Sequence, residues 1–309
     1  MTMKIIFIGG VKFSYEILKS LLENNWSISA VFSYHESKQN FFSDIASFDK
    51  LTQKYDIPHI KIRNNIKDDE NIKLIQDYKP DLILVMGWSQ LLSDKIIRIP
   101  KYGVVGSHPT KLPKYKGRSP IPWTILKKLT NSALTFFYIQ EGIDNGDILD
   151  QKEFVVDQND DAETLYSKII HLGKQMILEN LPKIQQGIGK RIKQDPSLYK
   201  ENWPKRTSDD GRIDWSQNSE DIHTLIRAST HPYPGAFTYY NKSKIIIWKS
   251  ELYSLSDSNK GEIIKITPDG IVVSCKKGSI VIKKISYQQH NDINPTKIFS
   301  EKNLGEFLK

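Results

Sequence analysis

"KIIFIGG", Lys4 to Gly10, is a β-branched run that closes on two glycines, and "SYEILKSLLENNW", Ser14 to Trp26, follows it with apolar residues at helical spacing. The first segment predicts a strand, the glycine pair a tight turn, and Ile17, Leu18, Leu21 and Leu22 one apolar helix face. The same alternation then repeats. "SISAVFS" reads as a second strand, "DKLTQKYDI" as a helix, "IPHIKI" as a third strand, "DENIKLIQDY" as a helix and "DLILVMG" as a fourth strand. "KYGVVGSH" is a fifth and "SALTFFYIQ" a sixth, with "EGIDNGDILD" as its exit turn. Strands alternating with helices imply an α/β fold: a Rossmann-like, mostly parallel sheet with helices on both faces.

Gly9 and Gly10 do not make a dinucleotide fingerprint, because no third glycine follows at the required spacing and no acidic residue ends the second strand. "SPIPWTILKKLT" starts a helix with Ser119 as its N-cap. A long amphipathic helix then runs from an N-cap at Asp160 or Asp161 to Gly187, and His171 on it reads as a packed or solvated residue.

From Lys190 to Asp210 the composition turns polar and irregular, which reads as a linker. Beyond it, "SEDIHTLIRAS" is a helix, and "AFTYY", "KIIIWKS", "GEIIKI", "GIVVSC" and "SIVIKKI" are short strands with Gly turns, the pattern of a small antiparallel barrel. The expected organisation is therefore a catalytic domain over 1–190, a linker over 191–210 and a small β-barrel domain, OB-like, over 211–309.

The 309 residues are 39% hydrophobic and 26% charged, the composition of a soluble globular chain. A formal charge of +8 suits an anionic partner, or equally a Lys-rich solvated surface. The single cysteine, Cys275, excludes an internal disulfide framework and multi-cysteine metal sites, and it lies in an apolar run where packing is its expected role. No apolar run reaches the ~18 residues of a membrane span, and Met1–Lys4 leads straight into a strand, so the expected location is the cytoplasm. No metal is expected, since the seven histidines form no ligand cluster with Cys275 or paired acids.

Chemistry concentrates where the fifth strand ends. In open parallel sheets ligands bind at the carboxyl ends of strands, and this one delivers Ser107 and His108 there. Pro109 keeps the backbone extended, and an imidazole is the natural proton acceptor near neutral pH. A general base works better with a carboxylate to orient it, and the turn "EGIDNGD" offers four acids: Glu141, Asp144, Asp147 and Asp150. Asp144 has a modest edge because Gly142 and Gly146 beside it free the backbone, though periodicity alone does not choose. Lys111, Lys114, Lys116 and Arg118 next to the histidine could hold a phosphate or form a solvated loop. "MGWSQLLS", Met86 to Ser93, could hold a flat heteroaromatic ring or simply begin a helix.

Together these residues resemble the formyltetrahydrofolate-dependent formyltransferases over nearly the whole chain. "GSHPTKLPKYKG" matches the His, Leu-Pro and Gly positions of the family motif Asn-x-His-x-Ser-Leu-Leu-Pro-x-x-x-Gly, and "EGIDNGDIL" places Asp144 at the family's distance from the histidine. "KRTSDDGRIDW" and "RASTHPYPGAFTYYNKSKIIIW" are similar to the two-domain members, and "LPKYKGRSP", "RTSDD" and "HPYPGAFTYY" lie nearer to those that formylate sugar nucleotides, such as the domain acting on UDP-4-amino-4-deoxy-arabinose.

The resemblance implies transfer of a formyl group from 10-formyltetrahydrofolate, as co-substrate, to the amine of a dTDP- or UDP-linked amino deoxysugar, for cell-surface glycan synthesis. It implies catalysis by His108 and Asp144 with help from Ser107, and a pterin held by Met86, Gly87, Trp88, Leu91, Ile139, Gly142 and Ile143. The amino substrate would approach Gly10, Lys12, Lys116 and Arg118. One departure stands out: the family asparagine two residues before the histidine is Gly106, so the oxyanion needs another donor, from Ser107, a backbone N–H or protonated His108. The alternatives are methionyl-tRNA formyltransferase, which would use the positive charge on nucleic acid, and a folate-binding member with lost or altered transfer. Nucleic acid and membrane are not the expected partners, and the oligomeric state leans to a homodimer.

Overall fold

The computed structural model describes residues 3–41, 43–254 and 258–309. The chain forms two compact units, the first of Met1–Pro120, Thr130–Val155 and Tyr166–Pro204, the second of Ile121–Leu129, Val156–Leu165 and Lys205–Lys309.

The first unit is built on β1 (Ile5–Gly9), α1 (Lys12–Glu23), β2 (Ile28–Tyr34), α2 (Asp49–Lys54), β3 (His59–Ile62), α3 (Asp69–Asp77), β4 (Leu82–Met86), α4 (Asp94–Ile97) and β5 (Val104–His108). Next in the chain come β6 (Tyr115–Gly117), α5 (Pro120–Leu126), which from Ile121 on belongs to the second unit, β7 (Asn131–Tyr138), β8 (Ile148–Val155), α6 (Ala162–Gln185), whose first residues to Leu165 also belong to the second unit, and β9 (Glu201–Trp203). Seven strands make one sheet in the order β3-β2-β1-β4-β5-β7-β8. Neighbours are parallel from β3 to β5, while β7 is antiparallel to β5 and β8 to β7. Every residue of β1 and β4 is buried, which is why both read as unbroken apolar runs. On α1, Phe13, Ile17, Leu18, Leu21 and Leu22 form the buried stripe that the 3.6-residue period predicts.

Strand order reverses between β1 and β4, and both strands end at the face where β5 delivers His108. The strand β8 was not foreseen: its burial alternates weakly, and "EGIDNGDILD" hides its start. Ser119, which precedes α5, takes φ 51°, outside the extended region usual at a helix N-cap. Asp161 does cap α6: its carboxylate accepts from Thr164 N–H at 2.9 Å, while the Thr164 hydroxyl accepts from the Asp161 amide at 3.0 Å. At the other end Gly187 takes φ 74°, and the Ile188 amide returns to the Lys183 carbonyl at 2.8 Å.

The stretch read as a linker is in part a strand. β9 pairs in parallel with β6, and Trp203, only 2% exposed, stacks on Tyr115 with ring centroids 4.7 Å apart. Polar composition concealed it because backbone hydrogen bonds and a single aromatic side chain hold the strand in place.

The second unit contains α7 (Ser219–Ser229), β10 (Ala236–Tyr240), β11 (Ser243–Tyr253), β12 (Ile263–Thr267), β13 (Gly270–Ser274), β14 (Ser279–Tyr287) and β15 (His290–Ile293). These strands form an antiparallel sheet in the order β10-β11-β14-β13-β12, with β15 paired to β14. Its core gathers Ile245, Ile247, Ile271, Val273, Ile280 and Ile282 against Ile222 and Ile226 of α7. The C-terminal segment joins the two end strands: Leu308 N–H donates to Gly261 O beside β12, and Lys309 exchanges both backbone bonds with Tyr239 of β10 at 2.8 Å. Covering both edges in this way closes the sheet without a further strand. Cys275 is buried in this core, and burial pushes its thiol up to about 12, the behaviour of a packing residue. Among the described residues, no helix is long and apolar enough to cross a membrane.

Candidate active site

β5 sets the faces of the site. Side chains alternate along a strand, so Gly106 and His108 share one face and Ser107 lies on the other. The imidazole of His108 is 5% exposed as a residue, and its Nε2 lies 3.0 Å from the Tyr115 carbonyl. Its Nδ1 faces Asp144 Oδ2 at 3.6 Å, too long for a direct hydrogen bond but within ion-pair distance once the imidazole carries a proton. Both ring nitrogens therefore face oxygen atoms, Nε2 within hydrogen-bond distance and Nδ1 just beyond it.

Asp144 is held from several sides. Its backbone takes φ 51°, a region that Asp tolerates better than most residues, next to Gly142 at φ 98°. Gln194 Nε2 donates to the carbonyls of Asp144 and Gly146, both at 2.8 Å, and the Gly117 amide donates to Asp144 Oδ2 at 3.1 Å. Asp150, one of the competing acids, is instead engaged by Asn180 Nδ2 at 2.7 Å. The structure thus pairs His108 with Asp144 and leaves Ser107 on the opposite face. Strand alternation thus puts the Ser107 hydroxyl, one of the expected oxyanion donors, on the face away from the His108 imidazole.

Gly106 is closely packed. A Cβ at this position would lie 2.9 Å from Ile139 Cδ1 and 3.0 Å from Ile139 Cγ1. The Ile139 side chain thus fills the space that an asparagine would enter, so one of its contacts is with Gly106.

The segment after β4 is an anchored loop, and α4 begins only at Asp94, which removes the helix-start reading. Trp88 stacks on Tyr34 at 3.9 Å with 8° between the rings, and the Ser89 amide donates to the Tyr34 hydroxyl at 2.9 Å. Gln90 accepts from the Ile66 amide at 2.9 Å and donates to the Asn64 carbonyl at 3.1 Å. Gly87 takes φ 58°, and Met86 is fully buried at the end of β4. Leu91 and Ile143 are the contrary case: 55% and 50% exposed, they leave apolar surface on the loops after β4 and β7.

The turn between β1 and α1 is closed to anions. Ser14 Oγ accepts from the Gly10 and Val11 amides at 3.0 and 2.9 Å, Asp44 O from the Lys12 amide at 2.8 Å, and the Tyr166 hydroxyl from the Phe13 amide at 3.1 Å. A helix N-terminus attracts phosphate through free amides, and these four are taken. The Gly10 amide is therefore taken up by Ser14 within the turn, while the Lys12 side chain is exposed. Gly10 itself is required by Tyr34, whose Cδ2 would lie 2.1 Å from any Cβ there.

Positive charge borders the pair on β6. Lys116 Nζ donates to Asn145 Oδ1, and burial lowers its pKa while the Asp144 charge works in the opposite direction. Arg118 is exposed beside it. Sequence reading missed Tyr34, Gln194 and Trp203, which act through backbone bonds and ring stacking and leave no spacing signal.

Residues 3–181 match the formyl transferase family, and residues 205–303 match the formyl transferase C-terminal domain. The chain belongs to the formyl transferase family. Its enzyme class, one-carbon transfer, and the folate co-substrate expected from the sequence are those of this family. Among curated relatives, the bifunctional polymyxin resistance protein ArnA of Wigglesworthia glossinidia brevipalpis is 33% identical over 301 residues, covering 96% of this chain and 45% of that protein. The chain thus spans about half the length of that relative. The methionyl-tRNA formyltransferase of Acetivibrio thermocellus is 29% identical and covered over 98% of both chains.

Solved structures share the fold. HypX from Aquifex aeolicus, in complex with tetrahydrofolic acid, superposes with TM-score 0.70 at 17% identity over 97% of this formyl transferase chain and 47% of its own. The sugar 3N-formyl transferase WlaRD, in the presence of dTDP and 5-N-formyl-THF, gives 0.65 at 22% identity over 94% and 99%.

Proposed function

We propose that this formyltransferase moves the formyl group of 10-formyltetrahydrofolate onto the primary amine of a dTDP- or UDP-linked amino deoxysugar, in the cytoplasm, for glycan synthesis. The observation that carries the reading is the His108–Asp144 pair set against β6, where Lys116 within the strand and Lys114 and Arg118 on either side of it are all basic. A diphosphate next to an amine needs that combination. The ArnA likeness along nearly the whole chain supports the sugar class.

With Nε2–H donated to the Tyr115 carbonyl, Nδ1 is the nitrogen left to accept a proton. As the neutral amine forms its new C–N bond to the formyl carbon, Nδ1 takes the proton the amine loses, and Asp144 holds the resulting positive charge. When the bond to the folate nitrogen breaks, the same proton leaves with that nitrogen. Ser107 lies on the far face, so protonated His108 and Lys116 are the positive charges available to the oxyanion. Leu91 and Ile143 supply apolar surface for the pterin, with the backbone of Gly87 and Gly142 beside them.

Methionyl-tRNA formylation is the second reading, favoured by relatives such as that of Alkaliphilus metalliredigens, 31% identical over 291 residues. Calorimetry separates the two. In the presence of 5-formyltetrahydrofolate, dTDP or UDP binds with little change between low and moderate salt. Tight, steeply salt-dependent binding of initiator tRNA with no nucleotide binding would replace the sugar reading with the tRNA one.

A further inference from the structure

β6 has only three residues, and its two edges serve different partners. The Lys114 carbonyl accepts from the Lys200 and Glu201 amides at 2.9 and 3.2 Å, and the Arg118 amide donates to the Trp203 carbonyl at 2.8 Å. These groups face β9. The groups that alternate with them point the other way, where the Tyr115 carbonyl meets His108 Nε2 at 3.0 Å and the Gly117 amide meets Asp144 Oδ2 at 3.1 Å. A strand that bonds both members of the pair fixes their separation only if it cannot itself shift.

We infer that β9 is a clamp for the catalytic pair and that Trp203 is its positioning residue, acting through Tyr115 and Gly117. Trp203 lies flat on the Tyr115 ring, 16° from parallel, and is 2% exposed. Its Nε1 is buried without a hydrogen-bond partner, so the ring face is what the site uses. Gly117 completes the fit: at φ 103° it brings the two backbones together, and a Cβ there would lie 2.4 Å from the Trp203 carbonyl. The inference rests on the His108–Asp144 reading of the proposed function and adds to it a residue that touches neither substrate.

The full-length W203A and W203F variants test it with 10-formyltetrahydrofolate and, as acceptors, UDP-4-amino-4-deoxy-arabinose and dTDP-3-aminofucose. Loosening the pair lowers kcat of W203A by about 100-fold while KM for the folate moves less than about threefold, because a small misplacement of catalytic groups acts on turnover. W203F, which keeps a stacking ring, returns kcat to within about tenfold of the wild type. Equal loss in both variants, or a rise in KM at unchanged kcat, would overturn the inference while leaving the proposed function in place. Hydrogen exchange covers the case in which W203A folds poorly or neither acceptor is used. The Gly117 amide loses protection in W203A ahead of the β1 and β4 amides, and unaltered Gly117 protection would overturn the clamp. A wild type that formylates no amine at all removes the proposed function, and the catalytic role of the clamp with it.

Discussion

At the residue scale the site turns on two side chains and one missing side chain. His108 and Asp144 are separated by 36 positions in the chain and are brought to 3.6 Å by β5 and the turn after β7. Replacing His108 by Ala or Asp144 by Asn should each lower formyl transfer by about 100-fold or more, the usual weight of a general base, with the thermal melt nearly unchanged. Near-normal rates in both variants would remove the mechanism. Gly106 gives the second test. Restoring the family asparagine drives a Cβ into Ile139, so G106N should lose about 1–3 kcal/mol of stability by overpacking. Shortening the neighbour in G106N/I139A should recover part of that loss in a denaturant series. Strict additivity of the two changes would show that they do not touch. His108 was legible in the sequence because Pro109 and the strand end frame it. The choice of Asp144 among four acids was not, because it depends on Gln194 and Gly117, which reach it from elsewhere in the chain.

At the element scale the parallel strands were easy to read, since burial on both faces writes itself as an unbroken apolar run. β9 left almost no trace. Its residues, Glu201, Asn202 and Trp203, look like linker, and its register comes from backbone bonds to β6 that no side-chain pattern encodes. The close approach at Gly117 makes a prediction of its own. G117A combines a positive φ with a 2.4 Å contact to the Trp203 carbonyl, so it should destabilise the first unit by about 1–3 kcal/mol. Transfer should fall with it, and the pair of readouts is chemical denaturation with the initial rate. A stable, fully active G117A would mean that β6 and β9 separate without consequence for the pair.

At the scale of the whole molecule the second unit brings a pH dependence. His223 on α7 bonds Ser250 Oγ at 3.0 Å, and burial together with the nearby Arg227 charge lowers its pKa from 6.5 to about 4, against the opposing pull of Glu251. The folded state thus resists a proton that the unfolded chain accepts. Well above pH 6.5 neither state is protonated there and the group makes no contribution. As pH falls from 6.5 towards 4 the unfolded state gains protons first, so stability declines across that window. H223Q should flatten this part of the melting-temperature profile, and an unchanged slope would assign it to other groups. The split into two folding patterns was legible, because the hydrophobic period changes from helix-strand alternation to short strands. Closure of the second sheet by its last residues was not, since Leu308 and Lys309 bond to partners far back in the sequence.

Mass is the direct readout of formyl transfer. The protein, 10-formyltetrahydrofolate, a set of dTDP- and UDP-linked amino sugars and charged initiator tRNA are incubated together, and the acceptors are weighed. An amino-sugar nucleotide should gain one formyl group, the tRNA should gain none, and the gain should disappear in H108A. A formylated tRNA with untouched sugars, or equal gain in H108A, would contradict the proposed function.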